Sequence, residues 1–448
     1  MIKIHYDFFY HIYEYLYLFV MVIYMGQMTP DLGRMVGKLS GNPIPLLIPI
    51  IMTVILLMRN PISFGNNRLW QLTSIMLIWS VGVCYKFHDF TSSNLSFYLF
   101  LIYAIFIAYI HIRVYGRDIF PIYEHIIVVL SVISLCLWGA GMLFPELDSY
   151  FRQFPETASG NNVLYLFHWT DPAKSQVLND FLVRNQGCSW EPGRFSIMLL
   201  PAILINLSRE GITFRGNKKI IILLLALVST FSTTGYSIAI LIYFIYWFDR
   251  INVRSVLTFF FIALPLSVFV FSLDFMGEKI EKRANFEGLT RERMQGIKYN
   301  AREHGDEYLG SIDRFESAYF EWVNFQQEPL LGYGRNVDHS WFRQNISKNF
   351  FLTGGLVKIL SQYGIFMGAL LYLILFYSSI RISKTCWNQQ RFAFVIILLL
   401  SSISYPIFCI PVFTSFWLYG LFGYDEDEVN EEDIEYLETE DIYGVEEK

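Results

Sequence analysis

Two stretches of this chain set charged side chains where they could do chemistry. Gln186 to Phe195 places Glu191, Pro192 and Arg194 at the entrance to a long apolar run. Proline suits the first turn of a helix, because its missing N–H would be unpaired there anyway. The remaining free N–H groups and the positive end of the helix dipole then point outward beside a guanidinium, and together they form an anion site that suits a diphosphate. The competing reading is an interfacial cap, with Glu191 closing the helix and Arg194 snorkelling to lipid headgroups.

The second stretch is the polar connection after residue 273. It holds Arg291, Arg314 and Arg335, and His339 a few residues after the Gly332-Tyr333-Gly334 turn. Histidine is the side chain best matched to proton transfer near neutral pH, so His339 is either a candidate general base or an ordinary polar loop residue. Neither His/Cys cluster, P-loop nor nucleophile elbow occurs in the sequence. Asp425-Glu426-Asp427 belongs to an acidic run and reads as charge. The expected chemistry therefore uses no metal and no cofactor, with arginines neutralising a leaving group.

The elements that must position these residues are apolar. The 448 residues are 54% hydrophobic with mean hydropathy +0.38, and they include 41 Phe and 29 Tyr, which excludes an ordinary soluble domain. Runs long enough to cross a bilayer core of ~30 Å recur along the chain. They predict an all-α, polytopic integral membrane protein of eleven or twelve transmembrane helices, at 8–25, 44–58, 69–85, 95–112, 120–144, 193–208, 219–233, 235–248, 255–273, 364–380 and 391–409, with 411–423 as a short twelfth.

The expected organisation is a five-span region (1–144), a first long outer loop (145–192), a four-span region (193–273), a second long outer loop (274–363), the C-terminal spans (364–423) and an acidic, disordered tail (424–448). The tail carries 13 Asp and Glu against one Lys. The five cysteines show neither a disulfide framework nor a zinc spacing.

Thirteen basic residues lie in the short loops assigned to one side, among them Arg59, Arg68, Arg113, Arg209, Lys219 and Arg381; the opposite short loops offer Arg34, Lys38 and Lys86. The positive-inside rule makes the first side cytoplasmic, and span parity opens both long loops on the outer face. Within the second loop, Ile312, Phe315, Tyr319, Trp322 and Gln326 fall at helical spacing, which predicts an amphipathic helix lying on the membrane domain or at its interface. Phe350–Tyr363 predicts a short interfacial helix ahead of the span at Gly364.

Four stretches then carry a family resemblance, in order and on one face. They are Glu191-Pro192-Gly193-Arg194-Phe195; Ser232-Thr233-Thr234-Gly235-Tyr236-Ser237; Arg314 to Trp322 followed by Glu328-Pro329-Leu330-Leu331-Gly332-Tyr333-Gly334; and Leu360 to Ile365. Together, over about residues 185–380, the chain resembles the superfamily of O-antigen polymerases and O-antigen ligases.

The resemblance implies a multispan membrane glycosyltransferase of the bacterial inner membrane, with its active site facing outward. It would act on oligosaccharides linked to undecaprenyl diphosphate and make O-antigen, capsular or exopolysaccharide chains. Partner proteins would flip the substrate and set chain length, and nucleic acid would play no part. By position, Arg194 and Arg314 would hold the diphosphate, Glu191 would orient Arg194 or the acceptor, and His339 would take the acceptor proton; Tyr236, Ser237, Arg291 and Arg335 are secondary candidates. Gly235 and Tyr236 stand where ligases often carry an arginine, and the His-Asn pair that ligases tend to carry is replaced by Gly354-Gly355. Both departures favour a polymerase over a ligase. A flippase for the same glycans would carry functional charges deep inside the spans, which hold few beyond Glu14 and Glu124.

Overall fold

The computed structural model describes residues 2–24, 44–154, 161–164, 167–170, 176–177, 182–189, 191–211, 216–248, 295–296, 299, 314–346, 352, 355–384, 392–404 and 407–423. The expected span at 255–273, Arg291 and the acidic tail lie outside the described residues.

The described chain is mostly helical. In order run α1 (Ile2–Tyr24), α2 (Ile44–Arg59), α3 (Asn67–Phe87), α4 (Ser92–Tyr115), α5 (Ile119–Leu143), α6 (Pro145–Phe151), α7 (Pro192–Glu210), α8 (Lys218–Ser229) and α9 (Thr233–Phe248). After these come α10 (Arg314–Gln327), α11 (Trp341–Asn345), α12 (Gly355–Ile382), α13 (Ala393–Ser404) and α14 (Pro411–Phe422). This agrees with the all-α expectation; two short antiparallel pairs, β1–β2 (Asn161–Leu164, Phe167–Thr170) and β3–β4 (Gln176–Val177, Leu182–Val183), lie within the first long loop. Among the described residues, the helical run Phe97–Leu143 and the helix Gly355–Ile382 are long and apolar enough to cross a membrane, and five shorter apolar helices accompany them.

Local signals set the helix ends. Asn66 caps α3 by accepting from the N–H groups of Arg68 (2.9 Å) and Leu69 (3.3 Å), and Asn217 caps α8 by accepting from Ile220 N (3.2 Å). Pro192 and Pro411 occupy the first turns of α7 and α14. α12 is two helices joined at Gly364, whose φ of 71° and ψ of 179° only glycine adopts readily.

Large apolar side chains lie on the outside of the helices as well as in their core. On α12 the outward side chains are Phe366 (70% exposed), Leu373 and Phe376, while Ser378 and Ser379 are buried. α3 follows the same pattern, with Ile78 and Tyr85 outside and Ser80 inside.

The bundle has two distinct ends. At one end Glu124 of α5, fully buried, accepts from Arg209 (2.7 Å) and Asn206 (2.8 Å) of α7 and pairs with Lys219 of α8 at 3.5 Å. Arg381 and Arg68 reach the carbonyls of Gly420 and Leu421 here, at 2.8 and 3.4 Å. α14 runs parallel to α12: Phe408, just before it, packs on Tyr363, Trp417 Nε1 donates to Leu371 O, and Gly420 lies beside Ser378. The chain therefore leaves α14 at the arginine-bearing end. The opposite end carries the 88–91 connection, residues 184–189 and 191–195, the 230–232 turn and residues 328–346.

Candidate active site

At the start of α7, Pro192 occupies the first turn and Glu191 is the N-cap residue, with extended backbone (φ −143°, ψ 135°) and no side-chain bond to the helix N–H groups. Glu191 Oε2 instead lies 3.8 Å from Arg194 Nε, and the Arg194 side chain is only 14% exposed. The cap reading thus fails for Glu191, and Arg194 is held close to the helix end.

Asn185 fixes the approach to this helix. Its Oδ1 accepts from Ser134 Oγ (2.8 Å) and Gly187 N (2.9 Å), while its Nδ2 donates to Ser229 Oγ (2.9 Å). α9 crosses closely because Gly235 faces Ser196, where an added Cβ would stand 2.7 Å from the serine Cβ. The secondary candidates on α9 are structural: Tyr236, buried, donates to Val228 O, and Ser237 Oγ donates to Thr233 O at 2.9 Å.

The second cluster is organised by the break in α12. The backbone of the Gly332-Tyr333-Gly334 turn runs beside the break: Tyr333 N donates to Ser361 O (3.0 Å), Gly334 N to Gln362 O (3.0 Å) and Ile365 N to Pro329 O (2.7 Å). Gly332 and Gly364 meet face to face; a Cβ on either would come within 2.7 Å of the other's amide nitrogen. Trp79 of α3 donates from Nε1 to Leu331 O (3.0 Å), and Lys86 pairs with Glu328, which docks the turn on α3.

α10 forms as predicted, but the apolar stripe is not its buried face. Trp322 is 44% exposed, Gln326 is exposed and Tyr319 is half-buried, whereas Glu316, Ser317, Phe320, Glu321 and Asn324 are buried. The cause is hydrogen bonding. Glu321 accepts from Ser361 Oγ (2.6 Å), Asn324 Nδ2 (3.1 Å) and Tyr333 OH (3.4 Å), and Asn324 Oδ1 accepts from Phe342 N (2.9 Å). Burial raises the Glu321 pKa above the usual carboxylate value, opposed by Lys358 and these hydrogen bonds. Arg314 opens α10; its side chain lies outside the described residues. Arg335 is exposed, its guanidinium 5.0 Å from the centre of the Phe97 ring.

His339 ends a short turn, Val337–His339, and meets a partner from the far end of the sequence. His88 closes α3 in the left-handed conformation (φ 50°), and Asp89 follows in the four-residue connection to α4. Asp89 Oδ1 accepts from Thr91 N (3.2 Å) and Oγ1 (2.8 Å), and its Oδ2 accepts from Asn336 Nδ2 (2.7 Å). His339 Nε2 lies 3.4 Å from the same Oδ2, and its ring stacks on Phe87 with centroids 4.3 Å apart and planes 9° from parallel. The Asn336 hydrogen bond, aided by Thr91 and His339 and opposed by burial, holds the Asp89 pKa below the usual carboxylate value. Among the described residues His339 Nδ1 has no hydrogen-bond partner, and it is closed to solvent. A carboxylate beside an imidazole held by ring stacking supplies two parts of a general base.

Glu191 and Arg194 are thus brought together, as are the 314–334 and 360–365 stretches. Arg194 and His339 are held by different helices at the same end. Sequence reasoning missed Asp89, Asn336 and Glu321. An available signal was the Asp-x-Thr spacing in a short connection on the predicted outer side. Comparison with known family models and with curated proteins finds no match for this chain.

Proposed function

We propose that the chain is a polytopic membrane glycosyltransferase that joins oligosaccharide repeat units linked to undecaprenyl diphosphate into a polysaccharide chain. The observation that carries the reading is the Asp89–His339 pair at the end of the bundle that also carries Glu191 and Arg194. Outward Phe366, Leu373 and Ile78 suit lipid and support the membrane setting. With the basic end inside, as the positive-inside rule requires, Asp89, His339, Glu191 and Arg194 face outward, and α14 adds the twelfth crossing. Exposed Trp322 and Leu330 then suit an interface where one side is apolar and the other wet.

The growing glycan on its lipid diphosphate is the donor, and a hydroxyl of a new lipid-linked unit is the acceptor. Acceptor oxygen bonds to the anomeric carbon as the bond from that carbon to the diphosphate oxygen breaks. The acceptor proton passes to His339, and the displaced lipid diphosphate leaves against Arg194, with Arg314 as the second arginine. Guanidiniums placed where negative charge develops lower the barrier directly. A flippase would instead carry ionisable groups along a path inside its spans; buried Glu124 is bonded to Arg209 and Asn206 at a helix end.

Deletion of the gene followed by gel analysis of surface glycans tests the class of reaction. Loss of long chains with single repeat units still displayed supports the polymerase; loss of every repeat unit identifies a ligase, and intact chains reject both. Arg194→Ala should abolish long chains while the protein stays in the membrane, and normal chains from that variant would overturn the assignment of Arg194.

A further inference from the structure

The end of the bundle opposite the candidate site is a surface of mostly one sign. Arg68 lies in the first turn of α3, Arg117 between α4 and α5, Lys218 at the start of α8 and Lys384 just past α12. All four are exposed, and among the described residues none of them meets a carboxylate. Two carboxylates at this end are already taken up, Glu124 by Arg209 (2.7 Å) and Glu210 by Lys219 (3.0 Å). Exposed Asp118 is left to face these cations.

α14 delivers the chain onto this surface. Arg381 and Arg68 donate to the carbonyls of Gly420 (2.8 Å) and Leu421 (3.4 Å), and Phe422 meets Tyr109 of α4 edge-on with ring centroids 5.3 Å apart. The chain therefore leaves the bundle among the ends of α3, α4 and α12. Three residues later comes Asp425-Glu426-Asp427-Glu428, and residues 424–448 hold 13 Asp and Glu against one Lys. That tail lies outside the described residues; its point of attachment does not.

Reach and charge then decide what the tail meets. Three residues of chain span at most about 11 Å, so Asp425 stays within about one Debye length of Phe422 at ~0.1 M salt. As a flexible coil, residues 424–448 cover roughly 25–30 Å, more than two helix diameters. The whole chain carries −6 and the tail −12, so the remainder carries +6. Each exposed ion pair is weak, but a tethered partner is held at an effective concentration in the mM range, where several weak pairs add up.

We propose that the acidic segment 424–448 docks on the basic end of the bundle, where its carboxylates pair with Arg68, Arg117, Lys218 and Lys384 and shield that end from other polyanions. The contact is electrostatic, so it loosens as salt rises. It is independent of the reaction proposed above.

The test uses the full chain in nanodiscs of phosphatidylcholine and in a second set with phosphatidylglycerol added. A carbodiimide joins a carboxylate to a lysine amine only where the two touch, and mass spectrometry locates the amides. Tail carboxylates should couple to Lys384 and Lys218 in both lipid sets at low salt, with the yield falling at least about fivefold at roughly 1 M salt. Arg68→Gln with Arg117→Gln keeps both lysines; it should lower the low-salt yield at least about twofold and speed cleavage of the tail by a glutamate-specific protease. Arg152→Gln with Arg335→Gln removes the same charge from the opposite end and should change neither reading. No tail-to-lysine amide at low salt overturns the proposal, as does a yield indifferent to salt. Coupling that vanishes when phosphatidylglycerol is added also overturns it, because lipid headgroups would then be the occupant. Equal effects from the two double variants would reduce the contact to net charge and reject this surface.

Discussion

Replacing Gly364 by alanine attacks the junction that joins the outer loop to the helix bundle. The backbone at Gly364 has φ 71° and ψ 179°, a region nearly closed to residues with a Cβ, and forcing alanine there costs about 1–3 kcal/mol. The new Cβ would also collide with the carbonyl of Leu330, which the surrounding backbone cannot vacate easily. Three hydrogen bonds depend on this approach, from Tyr333 N to Ser361 O, Gly334 N to Gln362 O and Ile365 N to Pro329 O, each worth about 0.5–1.5 kcal/mol net. If the turn is displaced as a unit, the loss is roughly 3–7 kcal/mol, a large share of the ~5–15 kcal/mol that holds a typical domain together. Thermal unfolding in one fixed detergent, with the lipid content held constant, reads the effect. Gly139→Ala serves as the control, because it lies within α5 with open space around it and should be neutral or stabilising by up to about 1 kcal/mol. A Gly364→Ala protein as stable as the control would refute the reasoning that this glycine is required by the contact with Gly332.

Three other outcomes follow from the same geometry. Asp89→Asn should lower the rate of chain synthesis by ~10²–10⁴ through loss of the proton placement on His339, and should shift the pH–rate profile; a normal rate and profile would remove His339 from the chemistry. Because the folded pKa of Asp89 lies below its unfolded value, its ionised form contributes stability above about pH 4 that is lost as pH falls through the folded pKa, and the Asn variant should lack this acid-side dependence. Glu321 has the opposite sign: its raised folded pKa makes it most favourable below its unfolded pKa of about 4.3, with stability lost as pH rises through the folded pKa. Glu321→Gln should flatten that slope in pH-dependent unfolding, and an unchanged slope would show that another group sets it. A reporter fused after Lys448 should respond as cytoplasmic, since α14 ends beside Arg68 and Arg381; an external signal would contradict the direction of α14.

What could be read from the sequence was local. Pro192 marked the start of α7 correctly, Pro411 marked α14, and the Gly332-Tyr333-Gly334 turn and the boundary at Gly364 were both visible as breaks in apolar runs. What could not be read depended on partners distant in the chain. Asp89 and Asn336 are separated by 247 positions, so neither marks the other without the fold. The face of α10 was misread for the same reason: hydrophobic spacing favours Tyr319 and Trp322 as the buried stripe, but Ser361, Tyr333 and Phe342 N supply hydrogen bonds that make burial of Glu321 and Asn324 tolerable. The hairpins of residues 161–183 are short, and their strands carry no alternation strong enough to separate them from a loop.

The central claim is chain synthesis from lipid-linked units, and reconstitution tests it most directly. The purified protein in liposomes is supplied with an oligosaccharide repeat unit on undecaprenyl diphosphate, and the products are resolved by gel together with the released lipid diphosphate. A ladder of chain lengths, with one undecaprenyl diphosphate released per bond formed and both lost in Arg194→Ala and His339→Ala, is the predicted result. A folded wild-type protein that is offered the repeat unit of its own cell and releases no lipid diphosphate, or a ladder undiminished by both substitutions, would contradict it.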